Sequence, residues 1–240
     1  MHVETQGGLT VRWFEVPGAG PDAATPPTVV LMHGFGAPGT DLVPLGRALP
    51  APPGTRFLFP EAPMPLPPEF GGGGGRAWWM IDVVRLQLGL MSGQARALKD
   101  EDPSGLLEAR ERLVSMLDAF EAAHGLDRRR LVLGGFSQGA MLATDVALET
   151  DVTLAALVLM SGTYLAASRW GLRFEARAGL TVVQSHGRQD PILPYELAEE
   201  LRDDMVAAGL SVDFHPFDGG HQIPPPVLAA IGGQLAAAAK

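Results

Sequence analysis

The sequence predicts an α/β fold, a mostly parallel central sheet with helices on both faces. Its strand-like stretches are continuous apolar runs, at residues 29–32, 131–133, 154–160 and 180–184, which is what strands covered on both sides require. Helical patterns separate these runs, and alternation of strand and helix is the mark of a parallel sheet. At 240 residues the chain can bury one full core. A single domain spanning 1–240 is expected, with no internal repeat and no boundary in its composition.

Taken in order, residues 9–16 alternate apolar and polar side chains before Pro17-Gly18-Ala19-Gly20-Pro21, so they read as an edge strand and a turn. Residues 28–32 form a buried strand that opens into His33-Gly34-Phe35-Gly36, and residues 56–59 form another, stopped by Pro60. From about 60 to 103 regular structure is sparse. Pro63, Pro65, Pro67 and Pro68 precede five glycines at 71–75, and Arg76-Ala77-Trp78-Trp79-Met80-Ile81-Asp82 follows. A long irregular insertion of this kind is more often a functional loop than a structural necessity. The glycine run reads as a flexible connection and not a phosphate cradle, because no strand leads into it and no Lys-Ser/Thr pair opens a helix after it.

Leu106, Leu107, Leu113, Val114, Leu117 and Phe120 recur at three- and four-residue steps, which predicts an amphipathic helix ended by Gly125. Arg128-Arg129-Arg130 reads as a solvated loop beside that helix end, where positive charge is favourable. A strand at 131–133, a tight turn and a helix to 149 follow, then strands at 154–160 and 180–184. A helix at 194–208, capped by Gly209, leads to a last strand at 211–217 that reaches Gly219-Gly220-His221.

The formal net charge is −9, so no excess of Lys and Arg is available to neutralise phosphates, and a nucleic-acid partner is not expected. The chain has no cysteine, which excludes a disulfide, a thiolate metal site and a cysteine nucleophile. The N-terminus lacks the basic start and apolar core of a signal peptide, and no apolar stretch approaches the ~18 residues of a spanning helix. A cytoplasmic protein without a transmembrane segment is expected. The sequence leaves its oligomeric state open, a homodimer included.

Gly135-Phe136-Ser137-Gln138-Gly139 carries the Gly-x-Ser-x-Gly pattern between an apolar strand and a helix. The pattern has a mechanical reason: a serine held at the tip of a strained strand-to-helix turn needs small residues two before and two after it, where strand and helix crowd. The following helix aims its unpaired amides and partial positive charge at the serine oxygen. Ser137 is therefore the candidate nucleophile, and the Gln138 amide one oxyanion donor. The loop at 33–36 is the stretch suited to supply the second donor, at the amide of Phe35. His33 is read as a loop-holding residue in preference to a second base.

A serine hydroxyl needs a base, and the base a carboxylate to fix its tautomer. Three histidines follow Ser137: His186, His215 and His221. His186 lies beside Asp190 and reads as a supporting residue, and His215 sits inside a strand. His221, past a strand end behind two glycines, is the candidate base. Asp213 lies within a strand and Asp218 is too near His221 to occupy a separate loop, so Asp190 is the candidate acid. All three residues then fall at C-terminal strand ends, where open α/β sheets place their ligands.

With these residues in view, the chain resembles the phospholipase/carboxylesterase family, small cap-less α/β-hydrolases that include acyl-protein thioesterases. The matching segments are Leu31-Met32-His33-Gly34-Phe35-Gly36, Arg76-Ala77-Trp78-Trp79, Gly134-Gly135-Phe136-Ser137-Gln138-Gly139, the run from Ser185-His186-Gly187 through Asp190-Pro191 to Pro194, and Gly219-Gly220-His221. The resemblance implies the α/β-hydrolase fold without a separate cap domain. It also implies a triad of Ser137, Asp190 and His221, oxyanion amides at Phe35 and Gln138, no metal, no cofactor, and small to medium acyl esters or thioesters as substrates.

Trp78 and Trp79 match a segment that borders the site in relatives, so they are expected as an apolar wall for the substrate, with Gly34 beside it; the alternative is plain core packing. Met80, Leu86, Leu88, Leu90 and Met91 are expected to line a mobile flap. A carboxylesterase is the leading functional expectation, ahead of a lysophospholipase or acyl-protein thioesterase. A perhydrolase, a lyase and a catalytically silent binding protein on the same scaffold rank lower.

Overall fold

The computed structural model describes residues 1–18, 26–68, 73–81 and 99–239. Among them one sheet of eight strands carries the architecture, in the spatial order β1-β2-β4-β3-β7-β8-β9-β10. The strands are β1 (His2–Gln6), β2 (Leu9–Glu15), β3 (Thr28–Met32), β4 (Arg56–Pro60), β7 (Leu131–Phe136), β8 (Ala156–Met160), β9 (Thr181–Gly187) and β10 (Ser211–Phe217). β1 and β2 pair antiparallel, as do β2 and β4, and every pair from β4 through β3 to β10 is parallel. The mostly parallel sheet expected from the apolar runs is present.

The helices cover both faces. They are α1 (Val43–Ala48), α2 (Leu106–His124), α3 (Gln138–Glu149), α4 (Ala167–Trp170), α5 (Tyr195–Ala207) and α6 (Pro225–Ala238). Strand side chains alternate between two cores, as the period of two dictates. In β3, Val30 and Met32 join Leu113, Leu117 and Phe120 of α2 and Leu142 of α3, while Val29 and Leu31 join Val43 of α1 and Ile231 and Leu235 of α6. All five residues of β3 and of β8 are buried, which is why neither strand shows alternation in the sequence.

Several elements depart from the expectations. The edge strand is β1 and not residues 9–16: β2 lies inside the sheet, with His2 stacked on Trp13 at 4.2 Å and the Trp13 indole donating to Glu4 at 2.8 Å. Helix α2 turns Leu107 outward, 54% exposed, and buries Ala109 and Met116 in its place. β9 runs three residues beyond the expected 184, so Ser185, His186 and Gly187 belong to the strand. α1 and α6 are additional elements. α6 starts from Pro224-Pro225-Pro226, with proline in the first turn, where its missing N–H costs nothing. In the 60–103 region, β5 (Met64–Pro65) pairs antiparallel with β6 (Arg76–Ala77). Of the expected flap residues, Met80 is 51% exposed; Leu86, Leu88, Leu90 and Met91 lie outside the described residues. Arg128–Arg130 forms a 3-10 turn in which Arg128 pairs with Asp118 and with Glu121 of α2.

A buried carboxylate ties the helices on one face together. Asp145 of α3 is fully buried and accepts from Arg110 of α2 at 2.7 Å, and from Arg169 and the Trp170 indole of α4, both at 2.8 Å. Asp145→Ala leaves two guanidinium groups facing a neutral cavity. It is expected to destabilise the protein by about 3–5 kcal/mol, read as a fall in the urea midpoint at unchanged slope.

Candidate active site

The parallel strands bring their C-terminal ends to one edge of the sheet, and each adjacent end supplies one part of the site. The register aligns Met32 of β3 with Gly135 of β7, Phe136 with Met160 of β8, Met160 with Ser185 of β9, and Gly187 with Phe217 of β10. The loop after β3 therefore lies beside Ser137, and the loops after β9 and β10, carrying Asp190 and His221, lie two and three strands away.

Ser137 has φ 55° and ψ −118° and immediately precedes α3. A left-handed φ at a side chain larger than glycine costs of order 1–3 kcal/mol, and such strain clusters at functional sites. Its surroundings hold the turn shut. A Cβ at Gly135 would lie 2.5 Å from the Met32 carbonyl oxygen and 2.6 Å from the Gly139 carbonyl carbon, and a Cβ at Gly139 would overlap the same Met32 carbonyl. The two glycines of the pattern are thus required by the close approach of the turn to β3. The Ser137 amide donates to the Met160 carbonyl at 2.9 Å, and its own carbonyl accepts from Ala140 and Met141 in the first turn of α3. The side chain is half-buried.

The Nδ1 of His221 lies 2.7 Å from Oδ2 of Asp190, and the His221 ring centroid is 4.7 Å from that of Phe136, the residue before Ser137. With Nδ1–H donating to the carboxylate, Nε2 is left as the basic nitrogen. The Asp190 side chain is fully buried. Burial pushes its carboxyl up, but donors from His186 and His221 and the amides of Leu193 and Ile192 outweigh burial and hold it well below the usual carboxylate range. The two amides reach Oδ1 at 3.0 and 2.8 Å. His186, also fully buried, places Nε2 2.9 Å from the Leu193 carbonyl and 3.3 Å from Asp190 Oδ2. His186 thus lies against the Asp190 carboxylate, the neighbour beside which the sequence places it.

On the other side of Ser137, a Cβ at Gly34 would stand 3.3 Å from the Ser137 Cβ, so this glycine borders the serine directly. The half-buried Phe35 follows it. His33 holds the loop, with Nδ1 donating to the Gly34 carbonyl at 2.8 Å and Nε2 accepting the Ala62 amide at 3.2 Å. Burial lowers its pKa against the opposing pull of the Gly34 carbonyl and nearby carboxylates, and with both nitrogens engaged as a neutral ring it is a brace and not a second base. The Gln138 amide belongs to the first residue of α3, where helix geometry offers no intrahelical acceptor.

The tryptophans correct the sequence expectation. Trp78 and Trp79 are each 2% exposed and belong to the core, so they present no open wall. The Trp78 indole donates to the His33 carbonyl at 3.0 Å, and the buried Gln138 side chain accepts the Trp78 amide at 3.0 Å while donating to the Trp79 carbonyl at 2.8 Å. Gln138 thus clamps the 78–79 segment under the elbow, a contact the Gly-x-Ser-x-Gly pattern does not reveal. Ser161, at the end of β8, also escaped the sequence reading; its position after an apolar strand and before Gly162 was the available signal.

Comparison with known proteins gives the family and the fold. The family model described as Phospholipase/Carboxylesterase matches residues 16–238. The chain is 27% identical over 189 residues to acyl-protein thioesterase 1 of Cryptococcus neoformans, covering 78% of this chain and 75% of the relative. It is 29% identical over 204 residues to a probable carboxylesterase of Oryza sativa subsp. japonica, covering 81% of each. Among solved structures it is similar to esterase PE8, with a TM-score of 0.74, 26% identity and 95% and 98% of the two chains covered. The Bacillus cereus carboxylesterase shares the fold at a TM-score of 0.71 and 18% identity, over 96% and 94%.

Proposed function

The chain belongs to the phospholipase/carboxylesterase family and is a hydrolase of ester bonds; we propose that it is a serine carboxylesterase that cleaves short- to medium-chain acyl esters through an acyl-enzyme on Ser137. The observation that carries this reading is the strained Ser137 at the start of α3, beside a base loop whose His221 is tied to the buried Asp190 at 2.7 Å. In the proposed reaction His221 Nε2 takes the Ser137 proton as Oγ attacks the ester carbonyl, and the carbonyl oxygen becomes an oxyanion facing the amides of Phe35 and Gln138. Collapse expels the alcohol, which receives the proton from His221. Water, deprotonated by the same ring, then releases the acid and restores the serine. Two amides aimed at the oxyanion are worth roughly two to three decades of rate each in comparable sites.

The absence of a side chain at Gly34, against the Ser137 Cβ, supports a place for the substrate beside the nucleophile. Trp78 and Trp79 then act from beneath, through the His33 loop and the Gln138 clamp. The acidic net charge is consistent with a small uncharged ester, and with a cytoplasmic enzyme that binds no nucleic acid. Among the described residues no helix is long and apolar enough to cross a membrane.

The relatives named acyl-protein thioesterase 1 favour a second reading, hydrolysis of long acyl thioesters or lysophospholipids. A series of p-nitrophenyl esters from acetate to palmitate, run beside a palmitoyl thioester and a lysophosphatidylcholine, separates the two. The expected result is a maximum of kcat/KM between acetate and octanoate. A maximum on the palmitoyl thioester or the lysolipid would replace the first reading by the second.

A further inference from the structure

The proposed reaction leaves Ser161 without a task, yet its backbone and its hydroxyl are both committed. Among the described residues, three other than glycine have positive φ: Ser137, Ser161 at 47°, and Ala166. Ser161 is fully buried, and glycine would relieve its backbone at no steric cost. A side chain kept in a strained backbone is a sign of function. Its amide donates to the Ser185 carbonyl at 2.8 Å, fastening the residue to β9. Its hydroxyl donates to the Gln222 carbonyl at 3.2 Å, the residue directly after His221. On its other side, the Met160 carbonyl holds the amide of Ser137 at 2.9 Å.

We propose that Ser161 is a positioning residue for His221: its hydroxyl moors the loop that carries the base to the strand end that holds the nucleophile, and so sets the separation of Ser137 and the imidazole. The loop needs such a mooring. Gly219 and Gly220 precede the base, and the backbone on that side is tied by the Gln189 amide to the Gly219 carbonyl at 3.0 Å. The ring is held at Nδ1 by Asp190. Without Ser161 the chain just after His221 loses its tie to β8, and the ring can pivot about the Asp190 bond, swinging Nε2 away from the serine. Ångström-scale misplacement of a reacting group is enough to cost about a hundredfold in rate.

The inference rests on the serine-esterase reading, and the test keeps the two apart. Ser161→Ala removes the hydroxyl and keeps the backbone strain; Ser161→Gly removes both. Both variants are expected to lose about ten- to hundredfold in kcat on p-nitrophenyl butyrate, with KM within about twofold. Ser161→Gly is expected to melt at the wild-type temperature or above, because its strain is relieved, while still losing activity; a merely structural serine would not separate the two. A second readout needs no turnover. The low-field proton resonance of the His221 Nδ1–H···Asp190 bond is expected to be sharp in the wild type and to broaden in both variants. A Ser161→Gly variant with wild-type kcat and an unchanged low-field resonance would overturn the proposal, with the esterase reading intact. A wild-type protein that hydrolyses no ester would end that reading, and the resonance in the two variants would still decide whether Ser161 orders the ring.

Discussion

Ser137→Ala is expected to lower kcat by about a millionfold while leaving the melting temperature within a few degrees of wild type. The chemical part follows from the proposed reaction: without Oγ no acyl-enzyme forms, and the proposed base and oxyanion amides can promote only direct attack by water. The structural part follows from the local geometry. The turn is held by Gly135 and Gly139 packed against the Met32 carbonyl and by the Ser137 amide on Met160, and alanine preserves all of these at the same left-handed φ. Loss of labelling by a fluorophosphonate probe, measured beside kcat and a melting curve, checks the result. Substantial residual esterase activity in a folded Ser137→Ala protein would sink the assignment of the nucleophile.

Asp190→Asn is expected to cost about four decades in kcat. The amide oxygen can still accept from Ile192 and Leu193, but the NH₂ then faces two ring nitrogens, those of His221 at 2.7 Å and His186 at 3.3 Å. An NH₂ group cannot accept a hydrogen bond. The His221 ring must then present Nδ1 as an acceptor, which puts its proton on Nε2, the nitrogen that the proposed mechanism needs free to deprotonate the serine. The pH dependence follows from the same contacts. Because the folded carboxyl lies well below the usual range, Asp190 contributes stability above the unfolded value near pH 3.9, and this contribution is lost as pH falls through the folded value. Acid unfolding of Asp190→Asn should therefore be less steep than that of the wild type below about pH 4, a comparison that urea titrations at several pH values can make. A kcat within tenfold of wild type would remove Asp190 from the proposed mechanism.

Much of the fold was readable in the sequence because the physics is local. The bounds of β3 and β10 are those expected, since a continuous apolar run and a turn signal suffice to delimit a strand. The elbow was readable because the steric demand for small residues falls within five positions. The elements that escaped are those whose stability comes from elsewhere in the chain. β1 carries one aliphatic residue, Val3, which is 61% exposed, and exists through its pairing with β2. α1 is six residues long. α6 is rich in alanine and glycine and hidden behind three prolines, and shows its apolar stripe only once Val227, Ile231 and Leu235 meet the sheet. Polar side chains at the end of β9 resembled a loop, but His186 finds its partners in Leu193 and Asp190.

By itself, the sequence determined the α/β class, the strained serine turn, and the order in which the proposed nucleophile, acid and base, Ser137, Asp190 and His221, follow one another. Tertiary structure decided which ends of which strands became neighbours: it set β3 against β7 so that Gly34 borders Ser137, gave Asp190 two histidines, buried the tryptophans under the Gln138 clamp, and moored the His221 loop to Ser161. The physical reason is range. Backbone strain and side-chain period act within a few residues, whereas the contacts that complete the site join residues 31, 59 and 61 positions apart, and these exist only once the register of the whole sheet is in place.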